Sequence, residues 1–130
     1  MNQVKISHVA SVDFTVKEDY LRAVVSHGEN SYENAIFYWK RIRDEISAGK
    51  HRKLLIIEQL SGSMSVADVF QLVGQIVEMG FVGVKIAFVD TGHRYELGDF
   101  GITAGANRGL WGQIFYDEKE AEDWLLSDEK

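Results

Sequence analysis

Residues 84–126 constrain the fold of this chain more than any other segment. They read VKIAFVD, then a glycine-spaced stretch ending in NRG, then WGQIFYDEKEAEDWLL. The first run, 84–89, is short and apolar, as in a strand covered on both faces. Residues 95–108 have helical spacing, although Gly98, Gly101 and Gly105 each cost about 1 kcal/mol of helix propensity relative to alanine. Gly109 closes that helix and 112–116 is a strand. Asp117 caps a final helix, 118–126, whose apolar face is Ala121, Trp124 and Leu125. Strands that alternate with single helices, with almost no slack between them, require crossover connections and a largely parallel sheet.

The upstream chain extends the same pattern. LLIIEQL, 54–60, reads as a central strand. After a polar loop, 61–65, comes a helix over 66–79 with Val69, Phe70, Val73, Ile76 and Val77 inward; Ser65 with Asp68 resembles a capping box. Residues 31–48 form an amphipathic helix with Ala35, Ile36, Trp39, Ile42 and Ile46 on the buried stripe, and Tyr38 is expected to face outward. Ser31 is its N-cap and Gly49 its stop. Strands 9–16 and 20–26, joined by three polar residues, make a hairpin. The predicted order is ββαβαβαβα: an α/β fold with a five-stranded mixed, mostly parallel sheet, four helices and an antiparallel first strand. Proline is absent and no segment is low in complexity, so residues 1–130 read as one domain.

The net charge of −6 argues against general nucleic-acid binding, which needs a basic face to displace counterions. The basic cluster Lys50, His51, Arg52 and Lys53 falls where a helix ends and complements its dipole. There is no cysteine, and His8, His27, His51 and His93 are not paired at ligand spacing, so no metal site is expected. Neither a Gly-x4-Gly-Lys loop nor a Gly-x-Gly-x-x-Gly turn occurs, and no cofactor is expected. The apolar runs are too short to span a membrane, and MNQVKISH lacks a basic-then-apolar leader pattern. A cytoplasmic protein is the expectation.

The element order, the KLLIIEQLSG and VKIAFVD strands and above all IFYDEKEAEDWLL resemble the STAS-like fold of sulfate transporters and anti-sigma-factor antagonists. The resemblance is to small bacterial proteins similar to the sporulation anti-sigma-factor antagonist. Their last strand leads through an acidic cap into an Ala-x-x-Trp-Leu helix, here Phe115, Asp117, Ala121, Trp124 and Leu125. It covers residues 9–126. It implies a non-catalytic regulatory or protein-interaction module, with a kinase-like or sigma-regulatory protein, or a second copy of the chain, as partner. Anti-sigma-factor antagonists are phosphorylated in an Asp-Ser-Ser-Gly-like loop after the central strand. The equivalent loop here, 61–65, keeps serines and a glycine but lacks the Asp, and Ser63 and Ser65 are the positions onto which that role carries.

In open α/β sheets ligands bind beyond the carboxyl ends of the strands. Those ends are 27–30, 61–65, 90–94 and Asp117. The working surface is therefore expected at Ser61 and its loop together with Asp90, Thr91, His93 and Arg94. Arg94 is placed to meet an anion near helix N-termini, and Asp90 or Thr91 to cap the next helix. Gly101, Gly105 and Gly109, at four-residue spacing, permit close approach to the sheet or to a ligand, with Phe100, Leu110 and Trp111 beside them. The alternative function is a carrier of a small apolar or anionic ligand held against this glycine-rich helix, which requires an apolar cavity beneath it. A third and weakest reading is a hydrolase built from Ser63, His93 and Asp90, which requires Ser63 and His93 within hydrogen-bond reach.

Overall fold

The computed structural model describes residues 10–129. His8, Val9 and the rest of the N-terminal MNQVKISH lie outside the described residues. The elements are β1 (Ser11–Val16), β2 (Leu21–Glu29), α1 (Tyr32–Gly49), β3 (Lys53–Ser61), α2 (Val66–Glu78), β4 (Lys85–Asp90), α3 (Tyr95–Ala106), β5 (Trp111–Phe115) and α4 (Glu118–Leu126). They form one five-stranded sheet in the order β1-β2-β3-β4-β5. β1 pairs antiparallel with β2, and every other pair is parallel. The ββαβαβαβα order and the mixed sheet are those expected from the sequence.

The alternation along β3 decides which helix covers which face. Leu54, Ile56 and Leu60 pack with the buried residues of α1 and α2. Leu55 and Ile57 pack with Ala87, Val89 and the Ala121, Trp124 and Leu125 face of α4. A strand sandwiched in this way must be apolar on both faces, which is why LLIIEQL shows no polar alternation. α3 is the least embedded helix: Gly105 is its only buried residue.

Several local expectations change. Tyr38 is buried at 1% exposure, while Phe37 is 40% exposed. The buried stripe of α1 is Ala35, Tyr38, Trp39, Ile42 and Ile46, spacings of three and four that turn Phe37 outward. Phe70, expected inward, is 48% exposed. The Arg108 guanidinium lies 4.4 Å from its ring centroid, and Leu72 takes the core position instead. Val77 and Ile36 are half-buried. Gly49 stays inside α1, and Lys50 makes the left-handed turn (φ 54°), donating its N–H to Ile46 O. α3 ends at Ala106, so Gly109 lies in the following turn at φ +90°, not on the helical face of Gly101 and Gly105. The Ser31 and Ser65 caps form, each Oγ accepting from the backbone N–H three residues on.

A buried cation anchors α4. Lys85 Nζ donates to Trp124 O at 2.8 Å and Ser127 O at 2.9 Å, meeting the negative end of the helix. Burial, and secondarily Lys53, lowers the pKa of this ammonium.

Candidate functional site

Beneath α3 lies a cavity of about 150 Å³. The sheet floors it with Ile86, Phe88 and Ile114, α2 walls it with Val69, Val73 and Ile76, and α3 roofs it with Leu97, Gly101 and Ile102. Glycine makes this geometry possible. A Cβ at Gly105 would come to 3.2 Å of Leu110 Cδ1, and one at Gly98 would collide with Ile114 Cδ1. The small residues therefore let α3 approach β5, and its poor interior packing leaves the space below unfilled.

One end of the cavity is polar, lined by Asn30, Tyr38, Glu58, Asp90 and Arg94. Parallel register explains the convergence. Glu58 of β3 and Asp90 of β4 are direct neighbours, so two carboxyl groups stand side by side at the ends of adjacent strands. Both are 3% exposed. Arg94, four residues beyond Asp90, folds back between them. Its Nη1 is 2.6 Å from Asp90 Oδ1 and 3.5 Å from Glu58 Oε1. Its Nη2 donates to Leu60 O and its Nε to Gly62 O, both at 2.6 Å. The guanidinium thus ties the 61–65 loop to the β4–α3 loop. Asp90 also accepts the backbone N–H groups of Gly92 and Arg94, which holds the start of α3. Neither Asp90 nor Thr91 caps this helix as expected: Arg94 holds the N-cap position and α3 has no side-chain cap bond, because Asp90 spends its oxygens on the turn that precedes the helix.

Glu58 accepts a 2.9 Å hydrogen bond from the Tyr38 hydroxyl. Burial is the largest influence on its carboxyl and pushes the pKa up to about 7; the Tyr38 bond and Arg94 pull it down, and neighbouring Asp90 adds to the rise. Asn30 reaches the same end by a backbone irregularity. β2 slips register between Ser26 and Glu29, where His27 and Gly28 take positive φ of 61° and 137°. Asn30 N then donates to Ser61 O at 2.7 Å. Asn30 ends 7% exposed, and its Oδ1 has no hydrogen-bond partner among the described residues.

The expected site residues divide into two groups. Asp90, Arg94, Gly101 and Gly105 line the cavity. Thr91 donates its hydroxyl to Glu58 O at 2.7 Å, and Ser61 donates to Gly28 O at 3.3 Å, so both brace the loops around it. Ser63, Ser65 and His93 are exposed. The Ser63 hydroxyl donates to Met64 O, while the His93 ring packs against Tyr95 and Tyr116. No hydrogen bond joins Ser63 to His93 among the described residues, so the hydrolase arrangement is not assembled. Phe100 and Leu110 are half-buried, and Trp111 is exposed near Lys85 Nζ, 5.2 Å from its ring centroid. Sequence reasoning missed Glu58, Tyr38 and Lys85. The signal was present: a single Glu inside LLIIEQL and a single Lys inside VKIAFVD mark charges that a two-faced strand must bury.

No helix among the described residues is long and apolar enough to cross a membrane. Among them, no group of three His, Asp or Glu side chains is arranged to hold a metal ion.

No family model and no curated protein matches the sequence. Solved structures do. An uncharacterised protein of the DUF3478 family with a SpoIIAA-like fold, from Shewanella loihica PV-4, superposes with a TM-score of 0.58 at 18% identity, covering 95% of this chain and 99% of its own. The protein TM1081 superposes with a TM-score of 0.49 at 16% identity, covering 96% of each chain. The chain has a SpoIIAA-like fold, the STAS-like architecture that the sequence resemblance implies.

Proposed function

We propose that this SpoIIAA-like chain is a one-domain, non-catalytic, cytoplasmic binding module that carries a small, mostly apolar molecule in the cavity beneath α3. The cavity itself carries this reading. Its walls are Val69, Val73, Ile76, Ile86, Ile102 and Ile114, and Tyr38, Glu58, Asp90 and Arg94 gather at one end. A space of about 150 Å³ lined by aliphatic side chains accommodates a benzene-sized body without water. Few polar groups converging on an apolar pocket is the general form of a small-molecule site. Glycines at 98, 101 and 105 keep the roof thin and weakly packed, so α3 is the element that would admit the ligand.

Methyl NMR with toluene as probe tests the reading. Shifts confined to Val73, Ile76, Ile86, Ile102 and Ile114, and lost in Gly101→Leu, are expected. No shifts at toluene saturation would refute it.

A second reading, a phospho-regulated interaction module, is favoured by the exposed apolar pair Val66 and Phe70 on α2, next to exposed Ser63 and Ser65. A phosphate at Ser65 would sit at a helix N-terminus, where negative charge is tolerated. Intact mass spectrometry of protein isolated from its host tests it. A phosphate increment that survives denaturation and maps to Ser63 or Ser65 supports the module, and an unmodified chain counts against the switch.

A further inference from the structure

The polar end of the cavity is unequal in its chemistry. Its one cation is already engaged: Arg94 Nε, Nη1 and Nη2 are held by Gly62 O, Asp90 Oδ1 and Leu60 O. Facing that single guanidinium are two buried carboxyl groups, Glu58 and Asp90. The Tyr38 hydroxyl proton is directed to Glu58 Oε2. The buried acceptor left without a partner is Asn30 Oδ1, on a residue more than nine-tenths buried that lines the cavity. A buried acceptor left without a donor costs on the order of 1–3 kcal/mol, so a chain that keeps one at a cavity wall favours whatever supplies the donor. An anion entering the same space would meet two carboxyl groups and a guanidinium already held by Gly62 O, Asp90 Oδ1 and Leu60 O, so its charge would be poorly compensated.

We propose that the cavity selects a neutral ligand of the phenol or alcohol class: a compact apolar body with one hydroxyl that donates to Asn30 Oδ1, and that it excludes carboxylates and phosphates. This rests on the carrier reading above and narrows it, removing the anionic ligands that the sequence left open. The apolar body lies against Val73, Ile76 and Ile102, and the hydroxyl is drawn to the Asn30 end. Glu58 serves the same selection. Its raised carboxyl pKa leaves a substantial neutral fraction near neutrality, so the pocket presents little net charge to a neutral guest.

Three probes separate head-group recognition from plain cavity filling: phenol, toluene and benzoate, titrated by NMR into the whole chain and into Asn30→Leu. Phenol and toluene are nearly isosteric and differ in the donor. The expected result is that Asn30→Leu weakens phenol about tenfold while toluene changes less than about twofold, with benzoate binding undetectable in the parent chain. Asn30→Ala, which adds no bulk, should give the same contrast and keeps the test decisive if the leucine variant does not fold. Equal changes for phenol and toluene, or benzoate binding tighter than phenol, would overturn the head-group inference while leaving the carrier reading standing. Failure of all three probes, toluene included, would overturn both.

Discussion

Replacing Glu58 by Gln should stabilise the protein at alkaline pH and do little in acid. In the folded chain burial raises the Glu58 pKa from 4.5 to about 7. At roughly 1.4 kcal/mol for each tenfold change in proton affinity, that rise corresponds to about 3 kcal/mol. The sign follows from proton counting. Between pH 4.5 and 7 the folded state binds more protons at this site than the unfolded chain, so stability falls as pH rises. Below pH 4.5 both states hold the proton and the site contributes no pH dependence. Above 7 the folded state must keep a charge in a site that is 3% exposed. Gln preserves the volume and the acceptor for the Tyr38 hydroxyl while removing the charge. Urea denaturation at a series of pH values measures the effect. Trp39, buried edge-on to Phe81 at 5.0 Å, supplies the fluorescence signal. The difference curve, Glu58→Gln minus parent, should rise from near zero at pH 4 to about 3 kcal/mol at pH 8.5. Subtraction cancels the titrating groups that do not interact with Glu58. A variant less stable than the parent at pH 8.5, or two parallel pH curves, would refute the assignment of a buried, destabilised carboxylate.

Three further substitutions probe the elements around the cavity. Arg94→Ala removes the cation from two buried carboxyl groups and the tether between two loops; the expected loss is about 3 kcal/mol at pH 8 by chemical denaturation, and less at pH 5, where Glu58 carries its proton. Ser65→Ala deletes the α2 cap and should cost about 1 kcal/mol by calorimetry, while Ser65→Asp, which keeps an acceptor there, should stay within a few tenths. Gly101→Ala should raise the melting temperature: the helix gains about 1 kcal/mol of propensity, and the new methyl meets only Val69 Cγ1 at an ordinary 3.4 Å. A lower melting temperature for Gly101→Ala would show that α3 sits closer to α2 than described.

The element order and sheet type were legible because they rest on local information. The apolar runs of β3 and β4, the helical stripes of α1 and α2 and the serine and aspartate caps each depend on neighbours within a few residues. The same locality explains where reading failed. Whether Tyr38 or Phe37 turned inward depended on a rotation of α1 that only the partner across the core settles, and that partner is Glu58, twenty residues away. Asp90 and Arg94 were recognisable as a polar cluster, but sequence spacing could not show that Asp90 is buried and that the two are spent on each other. That outcome needed the parallel register that sets Glu58 beside Asp90. The slip of β2 at His27 and Gly28, which delivers Asn30 to the same place, is likewise a pairing event between strands. By itself, then, the chain determined which segments become strands and helices, because propensity, periodicity and capping act over a few residues. Tertiary structure alone decided that a glycine-thinned helix leaves a cavity, and which polar residues line it, because cavities and buried charges arise where segments distant in sequence meet.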